Sequence, residues 1–129
     1  MTMYLTKTWG FEAPCGPLQF SLNGWRENAR KVLNPGDLVV IVGTTGDETA
    51  PDERGMILGL MEPTTIIVSS LDYALVSEPK DFDENGQYRW PYGLELRNAW
   101  RFSTLRTKLS SITARSFYMD AALGIVPLE

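Results

Sequence analysis

Short apolar and β-branched runs separated by turn-forming residues recur along this chain, and only one strong helical pattern interrupts them. The most constraining run is Leu38–Val42 (LVVIV), which follows a Pro-Gly-Asp turn, is apolar throughout and has the length of a strand. A strand of this kind is typically buried on both faces. Strands and helices do not alternate repeatedly, so a doubly wound sheet is not expected. The pattern predicts an α+β fold, a small bent or closed β-barrel of about five to six strands with peripheral helices.

The other strands are predicted from β-branched and aromatic residues that end at glycine, proline or polar loops. Gly59 lies inside one of these runs and indicates a bulge, a bend or the close approach of another segment. The segment Gln87–Phe102 predicts one or two strands, with interruptions at Pro91 and Gly93. The remaining predicted strands are Tyr4–Trp9, Met56–Met61 and Thr64–Ser69.

The best-supported helix covers Gly24–Leu33, with Asn23 as its N-cap and the Asn-Pro-Gly sequence at 34–36 as its stop. Glu27 is assigned to its first turn and two basic residues to its last, as the helix dipole favours. Its apolar residues at helical spacing are Trp25, Ala29, Val32 and Leu33, and its basic residues are Arg30 and Lys31. Two shorter helices are predicted over Ser103–Leu109 and Ser116–Leu123.

The chain has four tryptophans, no histidine and one cysteine in 129 residues, which we interpret as a single domain spanning 1–129. Histidine is the commonest general base and the commonest transition-metal ligand, so its absence weighs against both roles. Cys15 lies in a proline- and glycine-rich turn and is interpreted as a loop or core residue. The sequence contains no phosphate-binding glycine loop and no nucleophile elbow. We therefore expect a binding domain with no catalytic residues, no metal and no cofactor.

The first residues lack a basic start followed by an apolar run, and no segment approaches the roughly 20 apolar residues that span a bilayer. A lone cysteine also agrees with a reducing compartment. These features predict a cytoplasmic protein that makes no membrane contact.

Charge is distributed unevenly along the chain. The net charge is -4, yet residues 89–115 include six basic residues and one acidic residue, whereas residues 1–88 include six basic and thirteen acidic residues. This asymmetry permits one basic face on an acidic body, which suits a local contact with phosphate. An ordinary solvated face explains the same asymmetry equally well.

The positions of the tryptophans separate them into two pairs. Trp25 in helical register and Trp100 among apolar strand residues fit a core role best. Trp9 and Trp90 each abut a glycine or proline at a strand end, where side chains line the mouth of a pocket. Those two are the better candidates for stacking on a planar ligand.

The order and spacing of four segments resemble the PUA-like superfamily, nearest to EVE domains and their relatives, the YTH and ASCH domains. The residues that carry the resemblance are Lys7 and Thr8, Gly24–Arg30, Pro35–Val42 and Gly55–Glu62. The later segment RWPYGLELRNAWRF is similar to the equivalent part of DNA-reading domains fused to nucleases in modification-dependent restriction systems.

This resemblance implies a PUA-like barrel with a pocket for a flipped, modified base: methylated or hydroxymethylated cytosine in DNA, or methyladenine in RNA. It also implies that nucleic acid is the partner and that a fused or separate nuclease supplies any catalysis. The phosphate contacts it implies are Arg89, Arg97 and Arg101. The pocket residues it implies are Thr8, Trp9, Asn23, Trp25, Thr44, Trp90 and Tyr92.

Two other functions stay open at this point. One is an enzyme that processes RNA or nucleosides on an ASCH-like barrel, with turnover that depends on Lys7 or on an acidic residue such as Glu62. The other is a protein-interaction module that uses the acidic loop at Asp47–Glu53.

Overall fold

The computed structural model describes residues 1–11, 16–73, 78–102, 107–113 and 124–128. Cys15 and the segment Ser116–Leu123 therefore lie outside the described residues. So does the start of the helix predicted at Ser103, whereas Leu109–Ser111 is a short 3-10 turn. The described elements are β1 (Met3–Thr8), β2 (Leu18–Phe20), α1 (Asn23–Val32), β3 (Leu38–Gly43), β4 (Ile57–Ser69), β5 (Tyr92–Arg101) and β6 (Val126–Pro127).

All six strands form one mixed sheet in the order β2-β5-β4-β3-β1-β6. Strands β1 and β3 are parallel, with Tyr4 opposite Val39, and the other neighbours are antiparallel. The described strands β2 and β6 are the two edges, so pairing between them does not close the sheet. The α+β class is confirmed. Among the described residues, no helix is long and apolar enough to cross a membrane.

The sheet separates two apolar clusters, and β3 contributes to both. Val39 and Ile41 join the larger cluster, which also holds Ala29 of α1, while Val40 and Val42 join the smaller one. Successive side chains of a strand point to opposite faces, so the continuous apolar run covers both. The prediction that Leu38–Val42 is a buried strand is confirmed.

One long strand, β4, replaces the two strands predicted at Met56–Met61 and Thr64–Ser69. Its pairing with β5 is irregular: Pro63 lies opposite Leu96, and the next regular pair joins Ile67 to Leu94. Three residues of β4, 64–66, therefore lie opposite one residue of β5, Glu95, which is a β-bulge, and bulges bend the strand that contains them. Pro63 and the polar residues after it look like a turn in sequence, although the chain continues across them as strand.

Strands β2 and β6 were not predicted, because each is two or three residues long and lies among prolines or at the chain end. The segment Gln87–Phe102 contains one strand, and it begins after Pro91. Gly93 lies inside β5 because Pro17 packs against it: a Cβ there would lie 2.9 Å from the Pro17 ring.

The helix was predicted within one residue, but two details were wrong. The N-cap is Leu22, and Asn23 is the first helical residue, where its Oδ1 accepts a hydrogen bond from Arg26 Nη2 at 2.8 Å. Glu27 lies beyond the first turn, where it forms an ion pair with Arg30 at 2.7 Å. The basic last turn, Arg30 and Lys31, is confirmed.

Trp25 and Trp100 do not belong to the core, contrary to the core role that their patterns favoured. Trp25 is 41% exposed and Trp100 is 44% exposed. On α1 the fully buried residue is Ala29, and Leu33 just after the helix is also buried. The helical spacing therefore identified a buried face correctly, but this face is narrower than the pattern indicated.

Gly59 marks a close approach, as its position inside a strand predicted. A Cβ at this position would overlap the Trp100 carbonyl oxygen and the ring of Phe11. Substitution Gly59→Ala should lower the free energy of unfolding by about 1–3 kcal/mol, the usual cost of overpacking. The matched control is Gly24→Ala, because Gly24 is helical and faces open space, so alanine there should stabilise by about 1 kcal/mol. Chemical denaturation of both variants checks this, and similar stabilities for the two would contradict it.

Candidate functional site

Four aromatic rings meet near the end of β1, and we call Trp9, Phe82, Tyr88 and Trp90 the aromatic cluster. The ring centroids of Trp9 and Trp90 are 4.9 Å apart with an interplanar angle of 82°. Tyr88 lies 5.7 Å from Trp90 at 90° and 5.8 Å from Phe82 at 66°. Each contact is edge-to-face, so consecutive rings form walls that stand nearly at right angles. The two tryptophans favoured as pocket residues are brought together.

Thr8 and Thr44 position the Trp9 segment through their own hydrogen bonds. The Thr44 amide donates to the Thr8 carbonyl at 2.9 Å, and the Thr8 hydroxyl donates to the Gly10 carbonyl at 2.7 Å. The Thr44 hydroxyl lies 2.5 Å from that of Thr49, which is fully buried. Both predicted pocket threonines therefore lie beside Trp9, but their hydroxyls already bond within the chain.

The segment 78–90, which we call the acidic hairpin, carries three of the four rings. Phe82 and Tyr88 pair across an Asn85-Gly86 turn, in which Gly86 has a φ of 76°. Asp83 Oδ1 accepts hydrogen bonds from the amides of Asn85 and Gln87, both at 2.9 Å. A carboxylate that accepts two backbone amides holds a tight turn in one shape. The hairpin therefore presents Phe82, Tyr88 and Trp90 in a fixed arrangement.

Arg89 lies over the face of Trp9, with its guanidinium carbon 5.5 Å from the ring centroid. Its Nε donates to the Lys80 carbonyl at 2.8 Å, and its amide donates to the Asp81 carbonyl at 2.9 Å. The side chain predicted to contact phosphate is therefore held in the aromatic cluster as a cation–π partner.

Tyr88 is the titratable group that this environment perturbs most clearly. Burial, and after it the Asp81 carboxylate, raise the pKa of Tyr88 to about 12, although a hydrogen bond to Gln19 Oε1 lowers it. That bond, donated by the Tyr88 hydroxyl at 2.7 Å, connects the acidic hairpin to β2.

Asn23, Trp25 and Tyr92 form a second group around the start of α1. The Arg26 guanidinium lies 5.3 Å from the centroid of the Tyr92 ring and donates to Asn23 Oδ1. The ring of Trp25 lies against Gly124, close to where a Cβ would stand. The described ring contacts of the aromatic cluster do not include Trp25 or Tyr92. The seven predicted pocket residues thus divide into two groups.

Arg97 and Arg101 lie on β5 and are exposed. Arg97 Nε is 3.9 Å from Glu62 Oε2, and Asn98 donates to the other oxygen of that carboxylate at 2.9 Å. Glu62, considered above as a catalytic acid, therefore lies opposite β5, with its carboxylate bound to these two side chains. Lys7, the other residue considered for catalysis, is partly buried, and this burial lowers its pKa.

The acidic loop Asp47–Glu53 is folded against the chain rather than extended. Thr49 is fully buried, and Arg54 Nε donates to the carbonyls of Gly46 and Thr49 at 3.0 and 2.9 Å. Lys80 Nζ donates to the Glu48 carbonyl, so the loop is joined to the acidic hairpin. The carboxylate of Asp47 is fully exposed.

Three site residues were missed in the sequence: Phe82, Tyr88 and Arg26. An Asn-Gly pair flanked by aromatic residues is a hairpin signal, and DFDENGQY contains it. The pairing of Phe82 with Tyr88 could therefore have been predicted from the sequence. Arg26 carries no such signal, because its contact with Tyr92 joins α1 to a strand more than sixty positions away.

Among the described residues, no group of three side chains is arranged to hold a metal ion. No protein-family model and no curated protein matches this chain. The geometry of the aromatic cluster is therefore the ground on which a function is argued.

The perturbed ionisation of Tyr88 is directly measurable. In a pH titration, the wild-type tyrosinate absorbance minus that of Tyr88→Phe should rise with a midpoint near 12, above the ordinary value of 10.0. Folding favours the neutral phenol, so the stability it contributes is complete below pH 10 and is lost as the pH rises towards 12. A midpoint near 10 in folded protein would show that the Tyr88 hydroxyl is not buried.

Proposed function

We propose that this chain reads a modified base in nucleic acid, which it accepts flipped out of the helix against the aromatic cluster. The favoured ligand is methylated or hydroxymethylated cytosine in DNA. The domain itself is non-catalytic and acts with a fused or separate nuclease. The observation that carries the proposal is the contact between Trp9 and Trp90, which brings together two large stacking faces from distant parts of the sequence.

Base flipping suits a site lined by aromatic rings such as those of the aromatic cluster. An extruded base loses a few kcal/mol of stacking and pairing, and stacking on aromatic side chains returns about 1–3 kcal/mol per base. Trp9 and Trp90 are both partly exposed. One face of Trp9 is covered by the Arg89 guanidinium, so a base stacks on that face only by displacing Arg89. A methyl group adds only about 1 kcal/mol when buried, so selectivity for the modification is expected to be modest.

The bend of the sheet supports a PUA-like, EVE-type barrel. Through the pairs Thr8–Gly43, Val42–Ile57 and Gly59–Arg101, the end of β1 is level with the far end of β5. Trp90 precedes the near end of β5, and ten strand residues span roughly 30 Å at about 3.3 Å each. A flat sheet would keep the two tryptophans that far apart, so their contact requires a strongly coiled sheet of the kind that forms barrels.

Basic residues on β5 are suited to the phosphate backbone. Arg101 is exposed, and Arg97 is 64% exposed while its ion pair with Glu62 is long, at 3.9 Å. The guanidinium end of this pair is exposed and the pair is long, so a phosphate can compete for Arg97, and Glu62 keeps its hydrogen bond from Asn98. In this proposal Arg97 and Arg101 contact phosphates of the nucleic-acid backbone and so position the nucleic acid.

The first test compares a DNA duplex that carries one 5-methylcytosine with the same unmodified duplex. The modified duplex should bind more tightly, and Trp90→Ala should remove most of that gain and lower affinity by about tenfold, the equivalent of one lost stacking contact. Trp100→Ala is the matched control, because Trp100 is exposed on β5 outside the aromatic cluster, and it should keep the gain. Fluorescence anisotropy at fixed salt measures both.

Two results would contradict the proposal. One is equal binding of modified and unmodified DNA and RNA. The other is an equal loss of the modification-dependent gain in Trp90→Ala and Trp100→Ala, which would place the ligand away from the aromatic cluster.

A further inference from the structure

We infer that the base accepted by the aromatic cluster is a cationic one, methylated on a ring nitrogen so that it carries a positive charge at neutral pH. This inference rests on the proposed function and specifies the chemistry of its ligand. It distinguishes bases such as 3-methylcytosine from neutral ones such as 5-methylcytosine, which has the same non-hydrogen atoms with the methyl group elsewhere and one proton fewer.

The first observation is that the aromatic cluster already holds a cation. The Arg89 guanidinium is planar, positively charged and similar in shape to one edge of a protonated base, and it covers Trp9 at 5.5 Å. An indole face attracts a cation through its quadrupole, and removal of water strengthens that attraction. The Trp9 face is thus occupied by the kind of group that we expect in the ligand.

The second observation is the charge of the surroundings. The acidic hairpin includes Glu78, Asp81, Asp83 and Glu84 against Lys80 and Arg89, and Lys80 Nζ pairs with Glu78 at 3.5 Å. Negative charge therefore exceeds positive charge around the three rings of the hairpin. A neutral base gains nothing from this field, whereas a cationic base is attracted by it.

The field of one of these carboxylates reaches the rings. Burial is the main cause of the raised pKa of Tyr88, and the carboxylate of Asp81 adds to it; the Tyr88 ring contacts both Trp90 and Phe82. The contribution of Asp81 disfavours tyrosinate and favours a cation at the same place, whereas burial alone favours neither charged group. Edge-to-face packing adds a geometric fit, because perpendicular rings offer a cation both a face and flanking walls.

The test uses three DNA duplexes of one sequence, with cytosine, 5-methylcytosine or 3-methylcytosine opposite an abasic site. The abasic site brings the costs of flipping close together, because none of the three bases has a pairing partner. We expect 3-methylcytosine to bind at least about fivefold more tightly than 5-methylcytosine, as a partly desolvated cation–π contact gives. The preference should weaken as salt is added.

Two charge-neutralising variants locate the effect. Glu84→Gln removes one negative charge from the hairpin and should reduce the preference for 3-methylcytosine, whereas Glu95→Gln removes the same charge from β5 and should leave it unchanged. Arg89→Gln removes the resident cation and retains an amide donor for the Lys80 carbonyl. It should tighten the binding of 3-methylcytosine, because the ligand no longer competes with the guanidinium.

The outcomes separate this inference from the proposed function. If both methylated duplexes bind equally and more tightly than unmodified DNA, base reading stands and the preference for a cation is overturned. If none binds more tightly than cytosine, both fail. If a trimethyl-lysine peptide binds more tightly than every duplex, the cluster is a cation site for protein ligands, and the inferred nucleic-acid ligand is wrong.

Discussion

The contact between Trp9 and Trp90 requires the sheet to bend, because the strand register would otherwise keep the two rings far apart. Two glycines of this sheet allow close approaches of side chains to the strands. At Gly59 the absence of a side chain lets Phe11 lie against the strand, and at Gly93 it does the same for Pro17. The bulge between Pro63 and Ile67 lets β4 run further than β5 across the same stretch. Any change that straightens these strands separates the rings, so the candidate site depends on the sheet before it depends on its own side chains.

Most polar groups near the rings are already used to hold the rings in place. The hydroxyls of Thr8 and Thr44 bond within the chain, and the Tyr88 hydroxyl bonds to Gln19. Unpaired polar groups in partly buried surroundings are costly, so these bonds give the site a fixed shape. If this surface binds a base as proposed, the ring faces and the field of nearby carboxylates are what it offers, and these threonines act as positioning residues.

The sequence predicted the parts of this molecule that depend on local chemistry. An apolar run identified β3, helical spacing and an Asn-Pro-Gly stop identified α1, and strand-end glycine and proline singled out Trp9 and Trp90, whose rings are in contact. The sequence-based prediction failed where contacts between distant segments determine the structure. Trp25 is exposed because the buried face of α1 is narrow, and on the helix Ala29 fills it. The division of the predicted pocket residues into two groups follows from the tertiary path of β5, which no local pattern encodes.

The structure shows where the acidic and the basic parts of the sequence lie. The acidic half of the chain supplies the hairpin around the rings, and the basic half supplies exposed arginines along β5, such as Arg97. Arg89 belongs to the basic half in sequence but is held within the acidic hairpin, where it neutralises part of the negative field and covers Trp9. A polyanion approaching the molecule is repelled by the hairpin and attracted by β5. In the proposed function, the phosphates therefore follow the strand and a single extruded base reaches the rings.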